Sequence, residues 1–163
     1  MAAEILLVPI IWGAIAHLAG KKALFARFLN LVFLCCVVWY ILHRTLLGRT
    51  VKMHVSAGSM PFQLFLKALT ENREFVRSLL LNILLFCPFG AALACLIPHK
   101  SPSLARILLT GLLGIFLSIL IEYCQYCFSL GNAEADDVIC NTLGALIGAL
   151  SLPIKNMLDR HKY

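Results

Sequence analysis

Residues 107–121 read Ile-Leu-Leu-Thr-Gly-Leu-Leu-Gly-Ile-Phe-Leu-Ser-Ile-Leu-Ile, a run without a charged side chain. Polar and apolar residues do not alternate in this run, as they would in a strand of a membrane β-barrel. A helix needs about 20 predominantly apolar residues to cross a bilayer, and the segment that contains this run extends from residue 104 to residue 128. The stretch therefore predicts a membrane-spanning α-helix.

The composition of the whole chain supports the same interpretation. Hydrophobic residues make up 61% of the 163 residues and charged residues only 13%. A soluble domain usually has about 45–50% apolar and about 25% charged residues. We therefore predict an all-α fold, a polytopic transmembrane helical bundle to which no soluble domain is attached.

Five apolar segments divide the chain. We predict spans at about residues 5–19, 28–47, 78–97, 104–128 and 138–154. The first is short, so a tilted or partly interfacial helix is the alternative to a full span. Basic residues follow this segment, whereas a secretory signal begins with them, and we expect it to be retained. The domains would be an N-terminal anchor helix with a basic loop (1–27), a four-helix membrane domain (28–154) and a cytoplasmic tail (155–163).

The net charge of +6 comes from basic residues that flank the spans. Such residues set the orientation of a membrane protein, and they slightly favour an N-terminus outside and a C-terminus in the cytoplasm. They also suit anionic lipid headgroups, and no aromatic residues are interleaved with them as in nucleic-acid binding. We therefore expect a multi-pass protein of the cell membrane whose partners are membrane lipids and not nucleic acid.

All seven cysteines lie in apolar stretches, where cysteine usually behaves as a small buried hydrophobe. The spacing Cys124-x-x-Cys127 resembles half of a metal or redox site, but a metal site needs a second pair of ligands. The sequence offers no such pair. We therefore predict no metal and no cofactor.

The loop at residues 48–77 would share the outer face with the acidic loop at residues 131–137. Pro61 suits the first turn of a helix, and Phe62, Phe65, Leu66 and Leu69 then recur at helical spacing. This pattern favours a short amphipathic helix on the outer membrane surface. The alternative is a loop that packs over the bundle.

Two spans each carry a stripe of small and polar residues on one helix face, since an α-helix advances about 100° per residue. Small residues let helix backbones approach closely, and polar side chains then bond across the seam. We expect the two stripes to pack face to face, so that their polar residues meet at the outer end. The stripe of the fourth span consists of Gly111, Gly114, Ser118, Glu122 and Gln125, and that of the fifth of Asp137, Asn141, Gly144, Gly148 and Ser151.

Carboxylates are costly in lipid, so those in or near spans are candidates for a functional site. Glu122 is either a proton acceptor or a residue that holds the bundle together. Asp137 lies next to the first turn of the fifth span, where it belongs to the site or complements the helix dipole. Asn82 is either a partner of these carboxylates or a hydrogen-bonding residue between helices. Glu134 and Asp136 are expected to face solvent or headgroups at the edge of the cluster.

Three segments in this order resemble the VanZ-like family, named for a teicoplanin-resistance protein of Gram-positive bacteria. The resemblance covers roughly residues 28–153 and implies a four-helix membrane core. The segments are Asn82-Ile-Leu-Leu-Phe-Cys-Pro-Phe-Gly90, Ser118-x-x-x-Glu122-x-x-Gln125 and Glu134-x-x-Asp137-Val-Ile-Cys-Asn141-Thr-Leu-Gly144.

The chain departs from the family pattern just before the acidic loop. Many members carry an arginine there, whereas residues 131–133 read Gly-Asn-Ala. If that arginine neutralises a carboxylate or binds an anionic ligand, another cation must replace it in this chain. Arg44 and Arg77 are the candidates.

The resemblance implies a role in the cell envelope and lowered sensitivity to the lipoglycopeptide teicoplanin. We favour a non-enzymatic mechanism, in which an outward-facing polar site binds or protects a lipid, teicoplanin or a lipid-linked cell-wall precursor. One alternative is a membrane-embedded enzyme that acts on an envelope lipid or precursor, with Glu122 and Asp137 as a general acid–base pair. The other is a small proton-coupled transporter, which would need a homo-oligomer of a kind that the G-x-x-x-G spacing permits.

Overall fold

The computed structural model describes four α-helices and two short strands. The first helix continues into a π-helical segment, His43–Leu47. The predicted first span and the predicted amphipathic helix of the long loop lie outside the described residues, which are 23–51, 57–59, 73–97, 103–131 and 133–160. The elements are α1 (Ala23–Leu42), β1 (Ala57–Ser59), α2 (Arg73–Leu96), α3 (Ser103–Cys127), β2 (Ala133–Glu134) and α4 (Ala135–Arg160).

Three helical segments of the described residues are long and apolar enough to cross a membrane: Arg27–Leu47, Val76–Leu96 and Ser103–Cys127. They coincide with the predicted second, third and fourth spans, which confirms that these segments are helical and supports a membrane protein. The predicted fifth span, at residues 138–154, lies within α4. The total of five spans stays a prediction.

The surface of the bundle is apolar. Large side chains such as Trp39, Phe116 and Tyr123 are more than 60% exposed. The core is small by comparison, and α1 contributes Phe33, Val37 and Ile41 to it, where they pack with Phe86 and Phe89 of α2. Contiguous apolar surface of this kind suits contact with lipid chains rather than water.

The closest helix pair is α2 and α4. A Cβ added to Gly144 would overlap the carbonyl oxygen of Ile83, and one added to Gly148 would overlap that of Cys87. A Cβ on Gly90 of α2 would likewise overlap the backbone of Ala145. Glycine is required at these positions because the two backbones touch without intervening side chains.

This contact corrects the predicted face-to-face packing of the two small-residue stripes. Gly144 and Gly148 face α2 and not α3. The stripe of α3 does face α4, since a Cβ on Gly111 would lie 2.7 Å from Leu146 and one on Gly114 would lie 2.8 Å from Ala145. The prediction failed because α4 packs between two helices, and its glycines lie on the side of the closer one.

A short parallel pair of strands joins the two loops at one end of the bundle. Ala57 of β1 pairs with Ala133 of β2, and Ser59 pairs with Glu134. No residue pattern predicts these strands, although the long loop and the acidic loop are predicted to share one face of the membrane. The pairing places the start of α4 beside the segment that follows α1.

Candidate functional site

Successive helices run in opposite directions, so the end of α1, the first half of α2, the end of α3 and the start of α4 share one end of the bundle. Hydrogen bonds between different elements hold this end together, and four of them join described residues. We use the name polar cluster for the predicted site residues that lie there: Asn82, Ser118, Glu122, Gln125, Glu134, Asp136, Asp137 and Asn141.

Glu122 connects α3 to the strand that precedes α4. Its carboxylate Oε2 accepts a hydrogen bond from the backbone N–H of Glu134, at 2.9 Å. The side chain is only 6% exposed, and the charges of Asp137, Glu134 and Arg49 act on it. Glu122 is therefore a buried carboxylate in a charged environment, held by a backbone donor that positions it.

Asp137 connects α4 to α2. Its Oδ1 accepts a hydrogen bond from Nδ2 of Asn82, at 2.6 Å. Asn82 is therefore a partner of a carboxylate, and its hydrogen bond also joins two helices. Asp137 precedes the apolar part of α4, and burial raises its pKa from 3.8 to about 6. The charges of Glu134 and Asp136 act in the same direction, whereas Arg49 and the bond from Asn82 lower the pKa.

Asp136 is buried, at 3% exposure, so the expectation that it faces solvent or headgroups is wrong. The reason is that α4 begins directly after β2, which places its first turn inside the end of the bundle. An acidic residue in this turn also complements the helix dipole. Glu134, on β2, is half-buried.

A third bond joins α3 to α4 deeper in the bundle. Nδ2 of Asn141 donates to Oγ of Ser118, at 2.9 Å, and both side chains are buried. Oδ1 of Asn141 is buried without a hydrogen-bond partner among the described residues. Since an unpaired buried polar atom is costly, this end of the bundle is not saturated by its own hydrogen bonds.

The fourth bond joins α3 to the π-helical segment. Nε2 of Gln125 donates to the carbonyl oxygen of Thr45, at 3.0 Å. Thr45 Oγ1 donates in turn to the carbonyl of Ile41, at 2.8 Å. The last carbonyls of a helix lack partners in the helix itself, which explains why a side chain from α3 is needed there. Sequence reasoning missed Thr45, because no residue pattern marks a π-helical segment.

Arg49 is the second residue that sequence reasoning missed. A Cβ added to Gly131 would lie 2.6 Å from an Nη atom of Arg49 and 3.7 Å from Oε1 of Gln125. The guanidinium thus occupies the space that a side chain at position 131 would need. Its charge reaches both Glu122 and Asp137. Arg49, whose side chain is exposed overall, is thus one cation among the described residues that lies beside the polar cluster.

The two arginines proposed from the sequence, Arg44 and Arg77, have exposed side chains. Their role as cationic partners of the polar cluster stays a prediction. The sequence feature that could have indicated Arg49 is its position just after the second span. Only the pairing of β1 with β2 shows that the loop after this span meets the acidic loop.

An open groove of about 340 Å³ lies beside the polar cluster, between the end of α3 and the start of α4. We call it the α3–α4 groove. One wall carries Ile119 and Val138 and is apolar. Tyr123 and Tyr126 also line the groove. Glu122 and Glu134 line the same space, so the groove joins the lipid-facing surface to two acidic residues.

The arrangement provides one buried carboxylate, Glu122, and one half-buried carboxylate, Asp137, and a hydrogen bond to a described residue holds each of them. Groups of this kind can exchange a proton or bind a cationic ligand. Among the residues that the structure describes, no three His, Cys, Asp or Glu side chains form a group that could hold a metal ion.

A model of the family described as VanZ/LLP1 matches residues 10–156, most of the chain. No curated protein and no solved structure matches this chain.

Proposed function

The chain belongs to the VanZ-like family, and from this premise we propose that it lowers the sensitivity of a Gram-positive cell to teicoplanin. It would do so without enzymatic chemistry. The polar cluster would bind or protect a lipid or lipid-linked ligand, such as teicoplanin itself or a lipid-linked cell-wall precursor. The protein would lie in the cell membrane as five spans.

The observation that carries the proposal is the position of Glu122. It is buried in a membrane helix and at the same time lines an open groove. A carboxylate that served only to bond helices would be expected to face the bundle interior, since polar groups at the lipid surface are costly. Its place at a groove supports a binding role.

The proposed topology places the N-terminus outside and the C-terminus in the cytoplasm. The polar cluster would then face the outer leaflet. Teicoplanin carries a lipid tail and acts at that leaflet, near lipid-linked cell-wall precursors. A small bundle with a site at this level would meet the drug or the precursor without transport across the membrane.

The test is survival in teicoplanin, with vancomycin in parallel, of a sensitive Gram-positive host that expresses the wild type or a variant. Glu122→Gln keeps an oxygen that accepts from Glu134 N–H, and Asp137→Asn keeps one that accepts from Asn82. Each change therefore removes charge while conserving shape. Ser151→Ala is the control, because Ser151 bonds only to the carbonyl of Gly148 in its own helix at 2.7 Å.

We expect protection against teicoplanin from the wild type and Ser151→Ala, and its loss in Glu122→Gln and Asp137→Asn at equal membrane abundance. Protection that survives both carboxylate changes would contradict the role of the polar cluster. If the wild type gives no protection, the proposed drug phenotype is wrong for this chain.

A further inference from the structure

The α3–α4 groove combines three features that are seldom found together on a lipid-facing surface. Its wall is apolar, with Ile119 of α3 53% exposed at the outside of the bundle. Two tyrosines line it, and Tyr123 is 64% exposed. Two glutamates line the same space. Each feature restricts the ligand that the groove can hold.

The apolar wall and the place of the groove favour an amphiphile. The groove lies at the end of a membrane-spanning helix, where headgroups meet acyl chains. Its volume of about 340 Å³ is at the lower end of the range for small-molecule sites. A lipid headgroup with the first part of its chain is of that size, whereas a whole drug-sized molecule would extend beyond it.

The charges favour a cationic group in this headgroup. Glu122 and Glu134 line the groove, and the charge of Asp137 also acts on Glu122. The charge of Arg49 also acts on Glu122, but Arg49 lies beside Gly131, and neither residue lines the groove. An anionic headgroup would meet several carboxylates, whereas an ammonium group would be attracted to them.

The tyrosine rings point to the same chemistry. An ammonium group within about 6 Å of an aromatic face is attracted by the ring electrons, and the interaction strengthens where water is displaced. Tyr123 and Tyr126 line the groove together with the carboxylates. Aromatic faces are used in proteins to bind ammonium ligands, and the acidic side chains add Coulombic attraction.

We propose that the α3–α4 groove binds a membrane lipid whose headgroup carries an ammonium group. The inference rests on the proposed function in that it names the ligand class of the same site. The ammonium lies between the tyrosines and contacts Glu122 and Glu134, while the acyl chain follows Ile119 and Val138 into the bilayer.

The test uses the full chain in nanodiscs of phosphatidylglycerol and a photoreactive acyl-chain probe of defined headgroup. Phosphatidylethanolamine is the amine probe, and phosphatidylglycerol with the same photoreactive chain is the reference. The readout is the saturable fraction of crosslinked protein as a function of probe concentration, with the crosslinked peptides identified by mass spectrometry. We expect the ethanolamine probe to bind about tenfold more tightly and to label the end of α3.

Two variants and one control connect this preference to the groove. Glu134→Gln removes one charge but leaves the backbone N–H that donates to Glu122, so the fold should persist. Tyr126→Leu removes one ring. Each should reduce the preference for the ethanolamine probe by about threefold to tenfold. Phe116→Leu, on the exposed face of the same helix outside the groove, should leave it unchanged.

Equal binding of both probes by the wild type would overturn the proposal. So would a preference that survives Glu134→Gln and Tyr126→Leu together. These results are distinguishable from failure of the proposed function. Selective amine-lipid binding without protection against teicoplanin would refute the drug phenotype alone, and protection that depends on Glu122 without lipid selectivity would refute the ligand class alone.

Discussion

Replacing Gly144 by alanine should separate α4 from α2 and disturb the polar cluster. The new Cβ would overlap the carbonyl oxygen of Ile83 and lie 3.0 Å from Cβ of Phe86. The obstacle includes backbone in the middle of a helix, so it cannot rotate away. Ile83 directly follows Asn82, whose bond to Asp137 joins the same two helices. The substitution should therefore lengthen this bond as well.

The size of the effect follows from two costs and one gain in the free energy of unfolding. Inserting a methyl group into a closed contact costs about 1–3 kcal/mol, and loss of one hydrogen bond between membrane helices costs about 0.6 kcal/mol more. Alanine is favoured over glycine in a helix by up to about 1 kcal/mol. With the full helix-propensity offset, the net loss in the free energy of unfolding is about 0.6–2.6 kcal/mol for Gly144→Ala.

Gly111→Ala is the matched control, because it adds the same methyl group to another helix contact. Its Cβ would meet only the end of a side chain, Cδ2 of Leu146 at 2.7 Å. A change of side-chain torsion costs about 0.5–1.5 kcal/mol, which the helix propensity of alanine offsets. We expect a change within about 0.5 kcal/mol.

The assay is reversible unfolding of the purified protein in mixed micelles of increasing dodecyl sulfate content, followed by circular dichroism. Gly144→Ala should unfold at a lower dodecyl sulfate fraction than Gly111→Ala. If the two variants unfold at the same fraction, the α2–α4 backbone contact is not the tightest in the bundle, and the reasoning from glycine spacing fails.

Two further predictions concern charge at the polar cluster. Since the pKa of Asp137 is raised to about 6, its ionisation opposes folding, and stability should fall as the pH rises from 3.8 through about 6. Asp137→Asn should reduce this fall in the same micelle assay. A variant with the same pH profile as the wild type would contradict the burial of an ionisable Asp137. Gly131→Ala should displace the guanidinium of Arg49 at a cost below about 1 kcal/mol, because the end of a flexible side chain can move. With the guanidinium displaced, the pKa of Asp137 should rise further, which a pH titration of the infrared band of its carboxyl group would measure. If the titration of this band is the same as in the wild type, Arg49 does not act on Asp137.

The helices could be predicted from the sequence because apolar length is a property of one segment at a time. The predicted span at residues 104–128 matches α3, Ser103–Cys127, within one residue at each end. The predicted span at residues 28–47 covers most of α1 together with the π-helical segment that follows it. Burial of the backbone in lipid requires a continuous helix there, whatever its neighbours are.

The partners of each helix face could not be predicted in the same way. A stripe of small residues shows that some helix comes close, but not which one. Asn141 contacts Ser118 of α3, while Gly144, less than one turn further along α4, contacts the backbone of α2. One stripe therefore serves two neighbours, and only the packing of all three helices decides the division.

Arg49 illustrates a second limit. Its place beside Gly131 depends on the pairing of β1 with β2, two short segments far apart in the chain. Neither strand has the alternating pattern by which strands are recognised. The glycine at position 131 is consistent with the arrangement, since any larger side chain would meet the guanidinium, but a glycine before an acidic loop also fits an ordinary turn.

The hydrogen bonds of the polar cluster bear on whether it is only a structural device. Its bonds tie α1, α2, α3 and α4 together, as a structural network would. Yet Oε1 of Gln125 and Oδ1 of Asn141 are buried without a hydrogen-bond partner in the described part of the chain, at a cost of about 1–3 kcal/mol each. A network selected for stability alone would satisfy such atoms. Both atoms are buried and neither residue lines the α3–α4 groove, so their cost argues against a network built for stability alone but does not by itself mark a binding site.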